Sequence, residues 1–331
     1  MLNGKFGNLE YVFIKYMIDK SKKILITWWA GFVWANLVRK LLNLWFSSLY
    51  LILREKSDTW RIDDILDRLY IIYGSINDSL FIDKCIDKIR PDIIYHLAAC
   101  WTSWNTSSMD EILNNNVIWT INLVSACKNV WFEYFINTWT NFEYWEKTEP
   151  FSESDLLEPN SEYAVGKAMT SLYCSYIWRN YKLPIYTYRL FSVYWPYENS
   201  TRLIPSLMLN YINNIAPQLS KPDSVRDFVY VWDVIKYYLN VDYIKWDFWW
   251  IYNIWSWEQY SICDLVNYVK NIANSKIEPI YWSIPTKRKE LWLYRSNTEK
   301  LDKTFNIKKI SIYEWLKESY ERFKNKKYLY E

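Results

Sequence analysis

The sequence predicts an α/β protein: a doubly wound parallel sheet followed by a smaller C-terminal α/β domain. Three observations carry this. Short apolar runs alternate with helix-length stretches between residues 23 and 190, the spacing of parallel strands joined by crossover helices. Residues 23–37 (K-I-L-I-T-W-W-A-G-F-V-W-A-N-L) form the skeleton of a nucleotide-binding turn, with a strand, a tight bend and an amphipathic helix. Beyond Pro196 the alternation loosens into helices and a few short strands.

Taken in order, residues 1–20 read as a mixed apolar and charged arm with a helix over 9–18. A strand at 24–26 leads into the turn, and a helix runs from Phe32 to about Leu44. Strands follow at 49–53 and 70–73, then a helix over 80–89 that Pro91 ends. The run D-I-I-Y-H-L-A-A (92–99) is a buried fourth strand, with small residues at its end that let backbone lie against a cofactor. A long helix over 111–129 carries N-N-V-I-W-T, and a fifth strand at 134–137 enters T-W-T-N-F-E-Y-W. The next helix bears Tyr163 and Lys167, and a sixth strand spans 183–190. Later come V-R-D-F-V-Y-V-W-D (225–233), a strand at 251–254 and a last helix from about Ser311. The expected division is an arm (1–20), a nucleotide-binding domain (21–195, with strand 251–254 returning to it) and a mainly substrate-binding domain (196–331).

Composition qualifies the turn. The 331 residues include 22 Trp and only 5 Gly, against about 7% Gly in ordinary chains. A dinucleotide turn needs glycine for the bend, for backbone approach to a pyrophosphate and for helix–strand packing. Gly31 holds the middle place, while Trp28, Trp29 and Trp34 stand where the other glycines belong. Taken literally, those indoles block the phosphate site. Tryptophans also occupy turn positions at Trp145, Trp195, Trp255 and Trp257. This pattern is what results when UGA codons that a bacterial lineage reads as glycine are translated as tryptophan. Trp60, in D-T-W-R, lies outside any glycine context. The alternative is a Trp-rich protein as written.

Forty basic and 37 acidic residues leave a net charge of +3, which points to neither a nucleic-acid nor a membrane partner. Five widely spaced cysteines without C-x-x-C read as reduced thiols of a cytoplasmic protein, without disulfides. The one histidine, His96, excludes a multi-His metal centre, and no metal site is expected. The uncharged run 24–38 is shorter than the ~20 residues of a membrane span. No signal peptide is read before it, so a soluble chain is expected.

The candidate chemistry is Tyr163-x-x-x-Lys167, which puts both side chains on one helix face. A phenol of pKa about 10 is a poor base near neutrality. A neighbouring ammonium favours the phenolate and lowers that value. The spacing recurs at Tyr11/Lys15, Tyr16/Lys20, Tyr313/Lys317 and Tyr320/Lys324, where it reads as solvated helix faces. Context separates Tyr163/Lys167: a hydroxyl-bearing strand end, Thr140, precedes it. Arg54 closes the second strand, where a carboxylate usually meets the ribose of NAD. It suits the 2′-phosphate of NADP, or else is part of a solvated basic loop with Lys56 and Arg61.

With Trp read as Gly, residues 27–34 become T-G-G-A-G-F-V-G. H-L-A-A, N-V-I-(G)-T, T-(G)-T-N-F-E-Y-(G), Y-A-V-G-K, R-L-F-S-V-Y-(G)-P, R-D-F-V-Y-V-(G)-D and Y-N-I-(G)-S-(G) follow in order. In these motifs the chain resembles the extended short-chain dehydrogenase/reductases, the NAD-dependent epimerase/dehydratase family of Rossmann-type enzymes that modify nucleotide sugars. The resemblance covers about residues 22–320. It implies that Tyr163 exchanges a proton with a sugar hydroxyl, usually at C4. Lys167 would lower the Tyr163 pKa and hold the nicotinamide ribose, and Thr140 would hydrogen-bond the same sugar oxygen. NAD or NADP would be held by Thr27, Trp28, Gly31, Phe32, Val33, Trp34, Arg54, Leu97, Ala98, Ala99 and Asn116, with Tyr163 and Lys167. Ser192, Arg226 and Lys287 or Arg288 would meet a nucleotide-diphosphate sugar, alongside Thr140. A surface ion pair with Asp227 is the alternative for Arg226. Dimerisation through helices 111–129 and 163–180 is a further implication.

Departures narrow the chemistry. Family 4,6-dehydratases follow the hydroxyl residue with Asp-Glu; here Asn141 and Phe142 stand there, which argues against dehydration. Ser192 replaces a common Asn, and Ser75 replaces an Asp that often meets adenine. A 4-epimerase and a 4-ketoreductase remain, with Arg54 and a likeness to synthases of CDP-linked dideoxyhexoses tilting toward the reductase and NADP. A non-catalytic nucleotide-binding protein of the same fold is the reading from another class.

Overall fold

The structure is a computed structural model describing residues 19–27, 31–99, 108–144, 147, 149–244, 250–256, 258–285, 295–297, 299–305, 307 and 311–325. The expected arm helix, Trp28, Lys287 and Arg288 lie outside the described residues.

The first half follows the expected alternation. β1 (Ile24–Thr27) leads to α1 (Phe32–Asn43), β2 (Leu49–Leu53), β3 (Tyr70–Tyr73), α2 (Ser79–Ile89) and β4 (Ile93–His96). Next come α3 (Met109–Ile112), α4 (Trp119–Cys127), β5 (Tyr134–Thr140), α5 (Glu162–Tyr181) and β6 (Ile185–Leu190). Local chemistry sets the helix ends. Asp78 caps α2 by accepting the Phe81 N–H at 3.0 Å, and Ser161 caps α5 by accepting the Ala164 N–H at 3.3 Å. Arg90, in the left-handed conformation (φ 49°), closes α2 just before Pro91.

Seven strands form one sheet in the order β3-β2-β1-β4-β5-β6-β9, with β9 at Ile251–Ile254. The β3–β2, β2–β1, β1–β4 and β4–β5 pairs are parallel. Leu25, Ile94 and Phe135 from the strands pack with Ile82 and Ile86 of α2, Leu123 of α4 and Ile177 of α5. β1 is buried along its whole length, as a strand covered on both faces must be.

Two sequence expectations change here. The fourth strand ends at His96, so Leu97, Ala98 and Ala99 lie beyond the ladder. The long helix is not continuous α-helix: a π-turn, Leu113–Ile118, separates α3 from α4. Asn114, Asn115 and Asn116 fall in that turn, and asparagine side chains compete for backbone partners in place of regular helix bonds.

By compactness the chain divides into two units. One takes the described residues of 1–145, 156–189 and 235–252; the other takes those of 146–155, 190–234 and 253–331. Residues 235–252 thus group with the nucleotide turn, and residues 190–195 with the later chain.

The second unit is built on a three-stranded sheet, β10-β8-β7, from Gln259–Ser261, Val225–Tyr230 and Ser192–Tyr194. Its core joins Tyr194, Phe228 and Tyr230 to Leu207, Leu265, Val269, Leu316 and Phe323 of the surrounding helices. Glu198 is buried there, accepting the Trp195 N–H at 3.3 Å and lying 3.3 Å from the Arg202 guanidinium. Burial pushes its carboxyl up to about 7. A raised pKa means that the folded state binds the proton more tightly than the unfolded chain. The resulting stability is complete below pH ~4.5 and is lost as pH rises through about 7. Glu198→Gln is therefore expected to gain Tm relative to the parent between pH 5 and pH 8. A Tm difference that does not change with pH would show Glu198 to be ionised throughout.

Candidate cofactor and catalytic site

Strand order sets the position of the first unit's site. The order reverses between β1 and β4, and open parallel sheets bind ligands beyond the carboxyl ends of their strands at such a reversal. Thr27, the last residue of β1, lies in register with Ile52 of β2 and His96 of β4. Arg54, exposed, follows two residues after Ile52 on the same sheet edge. His96 is in register with Asn137 of β5, and Thr140 ends that strand three residues later. The Leu97 N–H bonds to the Thr27 carbonyl, which draws the Leu97–Ala98–Ala99 backbone onto the end of β1.

Gly31 is the N-cap of α1 with ordinary extended backbone (φ −85°). Among the described residues no side chain caps this helix, and its first turn carries no acidic residue. First-turn amides without a side-chain cap or an acidic neighbour suit an anion such as a pyrophosphate. Phe32 and Val33 are half-buried; Trp34 is 1% exposed, with its indole in the core. The described start of α1 therefore fits the pyrophosphate of a dinucleotide.

Tyr163 and Lys167 lie on α5, which packs against β5 and the 3-10 turn Asn141–Glu143. The Lys167 Nζ is 5.5 Å from the Tyr163 ring centroid, so the two do share a helix face. Tyr163 is half-buried, while Lys167 is buried, with Nζ 3.3 Å from the centroid of Trp139. The Trp139 Nε1–H also donates to the Lys167 carbonyl at 2.5 Å. Thr140 Oγ1 accepts the Phe142 N–H at 3.3 Å, which still leaves its hydroxyl proton and a second lone pair with which to meet a substrate oxygen. Asn116, buried, sits in the π-turn against which α5 packs.

Three further residues of this neighbourhood were not singled out by sequence. Glu143 and Arg189 are both buried; Arg189 Nε and Nη2 donate to Glu143 Oε2 at 3.2 and 3.0 Å, and Nη1 donates to the Tyr144 hydroxyl at 2.5 Å. Burial pushes the Glu143 carboxyl up, with Arg189 pulling it back. The single acidic side chain of the turn is therefore committed to the core. Arg189→Met leaves that carboxylate without its cation and is expected to cost about 3–5 kcal/mol in denaturant unfolding. A loss below ~1 kcal/mol would mean that Glu143 is already protonated. The third residue is His96, bonded to Thr27 Oγ1 at 2.7 Å through Nδ1 and to Thr120 Oγ1 at 2.9 Å through Nε2. Its signal in the sequence was a polar ring inside an apolar strand.

The sequence model of the NAD dependent epimerase/dehydratase family matches residues 24–241, more than half of the chain. The chain belongs to the NAD-dependent epimerase/dehydratase family. Among this family's curated members, the chain is 25% identical over 272 residues to the dTDP-D-glucose 4,6-dehydratase of Dictyostelium discoideum. That match covers 76% of this chain and 62% of the relative, so the chain spans less than two thirds of the relative's length. The fold is that of the UDP-N-acetylglucosamine 4-epimerase of Methanobrevibacter ruminantium, solved with UDP-N-acetylmuramic acid (TM-score 0.81, 23% identity, 92% of this chain and 99% of that one). It is also that of the Bacillus cereus UDP-glucuronic acid 4-epimerase, solved with UDP-glucuronic acid and NAD (TM-score 0.76, 23% identity, 92% and 99%).

The second unit holds two of the substrate candidates of this family reading. Ser192 opens β7 in register with Phe228, two residues along β8 from Arg226. Arg226 Nη1 donates to the Val225 carbonyl, and Asp227 accepts the Ser256 N–H with both oxygens at 3.0 Å. No helix among the described residues is long and apolar enough to cross a membrane.

Proposed function

We propose that the protein is an NAD(P)-dependent nucleotide-sugar 4-epimerase or 4-ketoreductase. The observation that carries this reading is the pairing of Tyr163 with Lys167 on the helix packed against the β5 end that bears Thr140. Tyr163 exchanges the proton of a sugar hydroxyl, Lys167 favours its phenolate and holds the nicotinamide ribose, and Thr140 hydrogen-bonds the reacting oxygen. Thr27, Gly31, Phe32, Val33, Leu97, Ala98, Ala99 and Asn116 hold the cofactor, with positions 28 and 34. When bound, the nicotinamide accepts or supplies the hydride. Exposed Arg54 at the β2 edge favours NADP over NAD. Ser192, Arg226 and Arg288 take the nucleotide diphosphate, making 196–331 chiefly the substrate part and 21–195 the cofactor part.

The dehydratase reading is favoured by the curated relative's name. Against it, Asn141 and Phe142 offer no acid or base after Thr140, and Glu143 is held by Arg189. Spectrophotometry with NADPH and a 4-keto nucleotide sugar separates the readings. One NADPH consumed per sugar identifies a reductase, and equilibration of C4 epimers without net consumption identifies an epimerase. No turnover of either kind would leave the non-catalytic reading.

The same proposal includes glycine at most of the positions that the sequence gives as Trp. Trp45 and Trp282 support it: both have left-handed backbone (φ 70° and 62°) and are largely exposed. A bulky L-residue is a rare outlier in that region, which glycine enters freely. None of the glycines among the described residues has positive φ. Peptide mass spectrometry of the native protein over residues 24–39 decides the identities at 28, 29 and 34.

Homodimerisation through α4 and α5 also belongs to the proposal, supported by the exposed apolar side chains Met169, Leu172 and Tyr176 along α5. Residence in the cytoplasm is proposed with it, on the free Cys85, Cys127, Cys174 and Cys263.

A further inference from the structure

His96 is the single histidine of the chain, and it lies fully buried at the C-terminal end of β4. Its two ring nitrogens face two hydroxyls, those of Thr27 and Thr120, both also fully buried. The Thr120 hydroxyl sits 2.8 Å from the Asn116 carbonyl, to which it must donate because a carbonyl only accepts. A hydroxyl has one proton, so towards His96 Thr120 Oγ1 can only accept. His96 Nε2 therefore carries hydrogen. A neutral imidazole has one N–H, so Nδ1 is the acceptor and the Thr27 hydroxyl donates to it. The direction of all three bonds follows from this one carbonyl: Thr27 O–H to Nδ1, Nε2–H to Thr120, Thr120 O–H to Asn116.

The neutral form is fixed independently. Burial and the nearby Lys167 ammonium, the charged group whose field reaches the ring, hold the imidazole down to about 3. Phe135 and Trp139 are its ring neighbours, at 5.9 and 6.1 Å between centroids. The chain of bonds uses no tryptophan, so it stands whichever residue occupies position 139.

We propose that His96 is a positioning residue, a neutral Nε2–H imidazole that locks the end of the β1 cofactor turn to the π-turn carrying Asn116. Thr27 is the last residue of β1 before the cofactor turn, and Asn116 lies in the π-turn against which α5, the helix of Tyr163 and Lys167, packs. His96 and Thr120 thereby hold two separate parts of the cofactor site in one register. This deepens the NAD(P)-dependent reading and rests on it for the cofactor, but not for the tautomer.

The test is nitrogen NMR of the 15N-histidine-labelled full chain, in which one histidine gives one set of ring signals. Without cofactor, the expected result is a protonated Nε2 and a bare Nδ1, unchanged between pH 8 and pH 5. A protonated Nδ1, or a titration midpoint near 6.5, would overturn the proposal. Thr120→Val removes the acceptor for Nε2–H, and Thr120→Ser retains it. NADPH affinity, read by nicotinamide fluorescence, is expected to fall about 5- to 20-fold in Thr120→Val and to return in Thr120→Ser. Unchanged affinity in Thr120→Val would overturn the positioning role. If the parent chain binds neither NADPH nor NADH, the cofactor reading and the positioning role fail together. The parent spectrum would still decide the tautomer.

Discussion

Tyr163→Phe is expected to lower turnover of a nucleotide-diphosphate sugar about 10²- to 10⁴-fold, the range that a positioned general acid–base group supplies. The substitution removes one oxygen and keeps the ring beside Lys167, whose Nζ lies 5.5 Å from its centroid. Cofactor affinity is expected to change by less than about 3-fold, since Tyr163 acts mainly on the substrate proton. The checking measurement is the initial rate over a pH series alongside NADPH titration. A variant that retains more than about a tenth of the parent rate would remove Tyr163 from the chemistry and direct the search to another proton carrier.

The second large effect concerns the cofactor turn. A chain with glycine at 28, 29 and 34 is expected to bind NAD(P)H, and the same chain with tryptophan there to bind it at least about 100-fold more weakly. The helix frame is present in either case: Gly31 is the N-cap, and no side chain of the first turn caps or neutralises the amides. What differs is space for the pyrophosphate and the approach of α1 to β1, where Trp34 is now buried. Calorimetric titration of both chains reads the difference. Equal affinity would mean that the indoles do not enter the phosphate site, and the recoding proposal would lose its functional argument. Glycine at 45 and 282 is expected to add about 1 kcal/mol of stability each, since the left-handed conformation costs an L-residue about 1–2 kcal/mol. Little packing is lost there, because both indoles are largely exposed.

The succession of elements was legible because it rests on local pattern. Apolar runs of four to five residues appear as β1, β2 and β3 at the expected positions, and Pro91 stops α2 one residue after its left-handed cap. Tyr163 and Lys167 were legible for the same reason, since a spacing of four on a helix fixes a shared face without knowledge of the rest of the chain. Thr140 and Arg54 stand at or beside strand ends, which the parallel sheet gathers on one edge, whereas Leu97–Ala99 lie beyond the β4 ladder that sequence extended through them.

Tertiary structure decided what depends on partners distant in sequence. Nothing in the linear sequence singles out Glu143, yet β6 brings Arg189 against it and ties its carboxylate into a buried ion pair. His96 reads only as a lone polar residue in an apolar strand. Its tautomer follows from Thr27, 69 residues away, and Thr120, 24 residues away. The π-turn at Leu113–Ile118 is likewise invisible to a helical periodicity that runs through it. Sequence by itself determined the order of strands and helices and the shared helix face of Tyr163 and Lys167. Only the folded sheet decided the state of its buried polar groups, because a buried charge or imidazole takes its state from neighbours that the linear chain does not place beside it.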